Sequence, residues 1–131
     1  MAIKILDIGQ CGFDGPRMEE LWHEALGAKV VRVANADEAF EELNGNNYDI
    51  ILVNRILARD GSSGLDVIRE IKQARIKTPV MLVSDLSEAQ HEAEAIGAVH
   101  GFGKADLGNP ETLELVNSVA TAQHQTNRHS K

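Results

Sequence analysis

Three polar residues stand directly after apolar runs in this chain, where side chains are free to do chemistry. Asn54 follows Ile50–Val53, Ser84 follows Val80–Val83, and Lys104 follows the glycine-broken run Val99–Gly103. Asn54 carries a neutral amide, at once donor and acceptor, and supplies no carboxylate nucleophile. Ser84 offers a hydroxyl and Lys104 an ammonium, so both can donate to an anion. Two carboxylates, far from them in sequence, lie in and after the first apolar run. Asp7 interrupts the first apolar run, at its far end or facing a polar partner, and Asp14 sits in the loop that follows. Each residue also has a plainer reading. Serine is common in loops and caps, and a lysine at a strand end is most often a solvated charge. Asn54 reads as a polar plug, able to accept from Lys104 and donate to Ser84 and so fix one conformation, with a residual ligand site as the alternative; Lys104 has Asn54, Asp7 and Asp14 as candidate partners.

The loop from Gly9 to Gly15 has glycine at every third position between a strand and a helix. Backbone N–H groups in such a loop can bind an anion. The spacing is neither a dinucleotide fingerprint nor a Walker loop. Tight turns account for the glycines more simply, and Asp14 would repel a phosphate. Cys11 is the chain's one cysteine, which excludes an intrachain disulfide and a cysteine-built zinc site. A nearby helix N-terminus could activate its thiol, but a bystander thiol is the default. His23, His91, His100, His124 and His129 form no metal-ligand spacing.

The elements that must hold these residues follow from periodicity. Strands are expected at Ala2–Ile8, Lys29–Val33, Ile50–Val53, Val80–Val83 and Val99–Gly103. Helices alternate with them. The first starts near Pro16, capped by Asp14 or Gly15; it buries Met18, Leu21, Trp22, Ala25 and Leu26 and stops at Gly27. Asn35–Glu38 and Ser87–Gln90 read as capping boxes for the second and fourth. The third, from near Gly64, turns Leu65, Ile68 and Ile71 inward. The last follows Asn109–Pro110, with Leu113, Val116 and Val119 inward. Strict alternation means a parallel sheet covered on both faces. Residues 1–120 make one domain, and Thr121–Lys131 reads as a polar tail, frayed or disordered.

The 131 residues suffice for one core, and 43% apolar with 25% charged residues is ordinary for a globular chain. A formal net charge of −7 disfavours nucleic acid or an anionic membrane as partner. No apolar run is long enough for a membrane span, and the N-terminus leads straight into a strand, so the expected setting is cytoplasmic.

In order and spacing, the segments Tyr48–Asn54, Thr78–Ser84 and Gly97–Lys104 resemble those of response-regulator receiver domains, over roughly residues 2–120. The resemblance implies a flavodoxin-like (βα)₅ fold, a three-layer sandwich on a five-stranded parallel sheet, and a place in two-component signalling. It puts Asn54 at the phosphoacceptor position, Ser84 at the switch serine or threonine and Lys104 at the family's lysine. The departures are as informative. Asparagine replaces the phosphoacceptor aspartate. Gly9 and Gln10 stand near where the family has its magnesium-binding acids, although alignment on Pro16 brings Asp14 close to one of them. Ala105 replaces the proline after the lysine. Gly101 stands at the family's aromatic switch position, three residues before the lysine, with Phe102 shifted by one.

The expectation is therefore a non-enzymatic pseudo-receiver with no cofactor and doubtful magnesium binding. Asp7, Asp14, Ser84 and Lys104 form its residual pocket around Asn54. Its partner would be a kinase or output protein, contacting Leu86–Gly97, Val99–Gly103 and Pro110–Val119. No output segment is expected after the domain, which would be a monomer or weak homodimer. The rival reading is a small-ligand or anion-binding protein, or an enzyme, that uses the strand-end crevice and the Gly9–Gly15 loop.

Overall fold

The computed structural model of the chain describes residues 2–129. The strands are β1 (Lys4–Ile8), β2 (Lys29–Val33), β3 (Ile50–Asn54), β4 (Val80–Val83) and β5 (Val99–Phe102). The helices are α1 (Asp14–Leu26), α2 (Ala36–Gly45), α3 (Gly64–Gln73), α4 (Ser87–Ala95) and α5 (Pro110–His129). All strand pairs are parallel, in the order β2-β1-β3-β4-β5. This is the flavodoxin-like receiver fold.

Strand alternation divides the core in two. Leu6, Ile8, Ile51, Val53, Val80 and Leu82 face α2, α3 and α4, meeting Ala39, Ile68, Ile71 and Ala93. Ile5, Ile50, Leu52, Met81, Val83 and Phe102 face α1 and α5, meeting Met18, Trp22, Val116 and Ala120. Burial on both faces is why β3 and β4 read as unbroken apolar runs. Asp7 falls on the α1/α5 face, where the pattern would place another apolar residue.

Helix ends follow the sequence in part. Asn35 Oδ1 accepts from Glu38 N (2.9 Å), while Glu38 Oε1 accepts from Ala34 N (2.8 Å). Gly27 ends α1 in the left-handed region, at φ 65°. The Ser87–Gln90 box does not form. Leu86 holds the cap position of α4 with no side-chain cap bond, because the Gln90 amide is turned into the sheet. Asp14 likewise lies inside α1, behind Phe13 at the cap position.

The frayed tail expected from Thr121 is also corrected: α5 continues to His129. Buried Asp49, at the start of β3, is the reason. Its carboxylate accepts from Lys4 N (2.7 Å) and Asn127 Nδ2 (3.0 Å), and His124 Nδ1 lies 3.2 Å away. The polar composition of this segment concealed a second anchoring face. The His129 side chain, Ser130 and Lys131 lie outside the described residues.

One irregularity shapes the edge of the sheet. Met81 pairs with Val99, but Val83 pairs with Phe102, so β5 carries one extra residue opposite Leu82. A bulge of this kind sends the following side chain to the other face. Phe102 accordingly packs edge-on against Trp22 on the α1/α5 side, with ring centroids 5.7 Å apart.

Candidate functional site

Asn54, Ser84 and Lys104 come together at the carboxyl ends of β3, β4 and β5. With Arg55, Ile56, Val83, Asp85 and Leu86 they line a crevice of about 330 Å³. The contacts within it differ from those expected. The Asn54 amide donates to Gly9 O (3.1 Å) and Ile56 O (2.9 Å), and hydrogen-bonds neither Lys104 nor Ser84. It clasps the loop after β1 to the loop after β3. Ser84 is 9% exposed, and its Oγ accepts from Leu86 N (3.1 Å), the local turn a serine favours at a strand end.

Lys104 Nζ bonds Asp14 Oδ2 at 2.8 Å, bridging the end of β5 to the first turn of α1. This hydrogen bond is the main reason the Asp14 carboxyl is held below its usual range. Cys11 Sγ donates to the same oxygen (3.5 Å) and accepts from Asp14 N (3.2 Å), so its thiol serves the loop. The side chains of Lys104 and Asp14 are 32% and 22% exposed, so the pair contributes about 1 kcal/mol. We predict that Lys104→Met loses about that much and is non-additive with Asp14→Asn, yet adds simply to Asn54→Ala. Denaturant melts of the two double-mutant cycles measure this. Coupling to Asn54 instead would favour that residue over Asp14 among the partners the sequence allows.

Asp7 is not in this crevice. It lines a separate cleft with Gln10, whose Nε2 donates to Asp7 Oδ1 (3.1 Å). Burial raises its pKa to about 7, against the pull of Gln10, Arg32 and Lys104.

Magnesium, which the family implies, finds no fitting donor set here. Gly9 has φ +82°, and a Cβ built on it would lie 2.2 Å from Leu57 Cδ2. Leu57 is buried against this glycine, and Ala58 N donates to Gly9 O (2.9 Å). An acid at residue 9 would have to displace that plug. Asp14, in the first turn of α1, is engaged by Lys104, and Mg²⁺ depends on carboxylate ligands. Among the described residues no group of three His, Cys, Asp or Glu could hold a metal ion.

Two further residues of this region matter: Asp85, which the sequence did not single out, and Gln90, which it offered only as part of a capping box. Asp85 Oδ1 accepts from Ala105 N (3.2 Å), a bond that a proline at 105 could not donate. Gln90 reaches from α4 into the sheet. Its Nε2 donates to Leu82 O (2.9 Å), Ser84 O (3.1 Å) and Phe102 O (3.4 Å), and its Oε1 accepts from Gly101 N (3.1 Å). A Cβ at Gly101 would lie 2.2 Å from Leu82 O. The Leu82 carbonyl, with Gln90 Oε1 3.1 Å from the same point, thus fills the space that a side chain at 101 would need. The visible signal was a polar residue within the alanine stripe of α4, opposite a glycine in β5.

The comparisons with known proteins agree with this geometry. No curated protein sequence matches the chain. The receiver domain of the Francisella response regulator 1452 superposes with a TM-score of 0.73 at 19% identity, covering 95% of this chain and 98% of that one. The receiver domain of NtrX from Brucella abortus gives 0.75 at 21%, covering 90% and 98%. The Vibrio cholerae chemotaxis protein CheY4 gives 0.72 at 21%, covering 91% and 99%. At these identities the structures speak for the fold alone. The model of the response regulator receiver domain family matches residues 14–103, more than half of the sequence, and the chain belongs to that family.

Proposed function

We propose that this receiver domain is a pseudo-receiver, signalling by protein–protein contact without phosphorylation at Asn54. The observation that carries the reading is the closed junction of the loops after β1 and β3. There the Asn54 amide and Leu57 both hold Gly9, where phosphoryl chemistry needs a carboxylate nucleophile and a metal. The Gln90 contacts support it further. The α4–β5 region is stapled to the strand ends by four hydrogen bonds instead of carrying a mobile aromatic.

The partner-binding face in this reading comprises Leu86–Gly97, Val99–Gly103 and Pro110–Val119. Leu86 is 53% exposed on it. Its exposed charges are acidic: Glu88, Glu92, Glu94, Glu111 and Glu114. Such a face repels a second copy of itself and favours a basic signalling partner over a homodimer.

The test is incubation with Mg²⁺ and acetyl phosphate, followed by quantification of acid-labile phosphate. Wild-type chain should incorporate none. Asn54→Asp should remain far below stoichiometric labelling, because Leu57 still fills the place of the missing metal ligands. Stoichiometric labelling of wild-type chain within residues 54–63 would overturn the reading. Full labelling of Asn54→Asp would show that the Gly9–Leu57 junction is no obstacle.

A further inference from the structure

A second cleft, of about 650 Å³, opens between the loops after β1, β2 and β3 and shares no lining residue with the Asn54 crevice. Its size is within the range of small-molecule sites. Two features single it out. The first is a pair of adjacent buried acceptors in its wall. Asp7 is 1% exposed, and its Oδ2 is hydrogen-bonded to no atom among the described residues; the same is true of Gln10 Oε1. Asp7 lies directly across from Arg32 in the β1–β2 register, yet the two form no ion pair. The Arg32 guanidinium lies instead over Gly15 in the first turn of α1, with Nη1 3.9 Å from Glu19 Oε1. Buried acceptors without a partner are rare in native proteins and call for a specific explanation.

The second feature is a pair of guanidinium groups, with the Glu38 carboxylate beside them in the lining. Arg32 and Arg59 both line the cleft, and Arg59 stands at its open side, 3.6 Å from Glu38. Planar guanidinium groups match the geometry of phosphate. A simple cation would meet two arginines here. A bare anion would leave Asp7 Oδ2 and Gln10 Oε1 unsatisfied. A molecule with hydrogen-bond donors at one end and a phosphate at the other satisfies both walls.

We propose that this cleft binds a small phosphorylated metabolite, a nucleoside monophosphate or a sugar phosphate, with its N–H or O–H donors on Asp7 and Gln10 and its phosphate on Arg59 and Arg32. This site is additional to the signalling role and does not depend on the chemistry at Asn54.

The full chain is titrated with GMP, glucose 6-phosphate and inorganic phosphate, read by calorimetry and by amide chemical shifts. One of the two esters should bind at least about tenfold more tightly than inorganic phosphate. Its shift changes should gather at Gly9, Gln10, Gly12, Ala34 and Ala58. Tighter binding of GMP identifies a nucleotide as the source; tighter binding of glucose 6-phosphate identifies a sugar phosphate. Arg59→Gln removes an exposed guanidinium, and Asp7→Asn puts a donor where the ligand needs an acceptor. Each should weaken the bound ester about tenfold or more. No binding, equal binding of all three compounds, shift changes centred on Ser84 and Leu86, or unchanged affinity in Asp7→Asn would each overturn the proposal.

Discussion

At pH 8, Asp7→Asn is expected to be more stable than the wild-type chain by about 2–4 kcal/mol, and at pH 4 the two should agree within about 1 kcal/mol. The cause lies in where β1 puts this carboxyl. Asp7 is fully covered on the α1/α5 face, and burial lifts its pKa from 3.8 to about 7. The Gln10 amide and the charges of Arg32 and Lys104 pull it down, and Glu19 pushes it up. A folded-state pKa above the unfolded one means that the folded chain holds a proton the unfolded chain has released. The wild-type stability from this group is complete below pH 4, declines as pH rises, and is lost once pH passes about 7. At most that loss is about 4 kcal/mol. Asparagine never ionises, so it escapes the decline. Its Nδ2 is as short of a partner as Oδ2, which leaves that part of the cost unchanged. Urea melts of both proteins at several pH values decide the matter. If Asp7→Asn proved less stable at pH 8, the Asp7 carboxylate would have to be stabilised by a partner such as Arg32, and the burial-raised pKa would be ruled out.

Much of this fold was legible because both sheet faces are buried. Unbroken runs such as Ile50–Val53 and Val80–Val83, separated by helical spacings and glycine stops, leave few alternatives to a covered parallel sheet. The identity of the strand-end residues was equally plain, since Asn54 and Ser84 each sit one residue beyond such a run and Lys104 follows the glycine-broken run Val99–Gly103. Their partners were not. The Lys104–Asp14 bond joins residues 90 positions apart, and only the folded chain decides that Asp14 in α1 outcompetes Asn54 for the ammonium. Nor could periodicity reveal which residue of the short apolar stretch Ile56–Ala58 closes over Gly9; the folded chain selects Leu57. The bulge in β5 was visible only indirectly, as an aromatic displaced by one position. The α5 tail failed for a related reason. Asn127 and His124 look solvated in sequence, but both reach the carboxylate of Asp49 at the far end of the sheet.

Gln90→Glu should be the most damaging conservative change on the α4 side, costing about 3–5 kcal/mol at pH 7. The Gln90 amide nitrogen faces three carbonyl oxygens, those of Leu82, Ser84 and Phe102, and the residue is only 6% exposed. An ionised carboxylate in its place would present a negative oxygen to all three, with no donor except Gly101 N on its other oxygen. Gln90→Ala should cost less, about 2–3 kcal/mol, since it leaves one buried N–H and three carbonyls underpaired but introduces no charge. The glutamate variant also has a pH signature. Its folded-state pKa must rise above the usual value of about 4.3, because burial and the carbonyls disfavour the charged form. Its stability is therefore retained below about pH 4 and lost as pH rises through the folded value. The protonated carboxyl of this variant donates one hydrogen bond where Gln90 donates several, so recovery in acid is partial. Amide hydrogen exchange adds a local readout: Gly101 and Leu86 should lose protection in both variants, while Leu6 and Leu52 in the central strands keep theirs relative to global unfolding. If Gln90→Glu were as stable as Gln90→Ala at pH 7, with no gain on acidification, the side chain would have swung out to solvent. The hydrogen bonds that tie α4 to β4 and β5 would then be dispensable, and the α4–β5 region would be free to move.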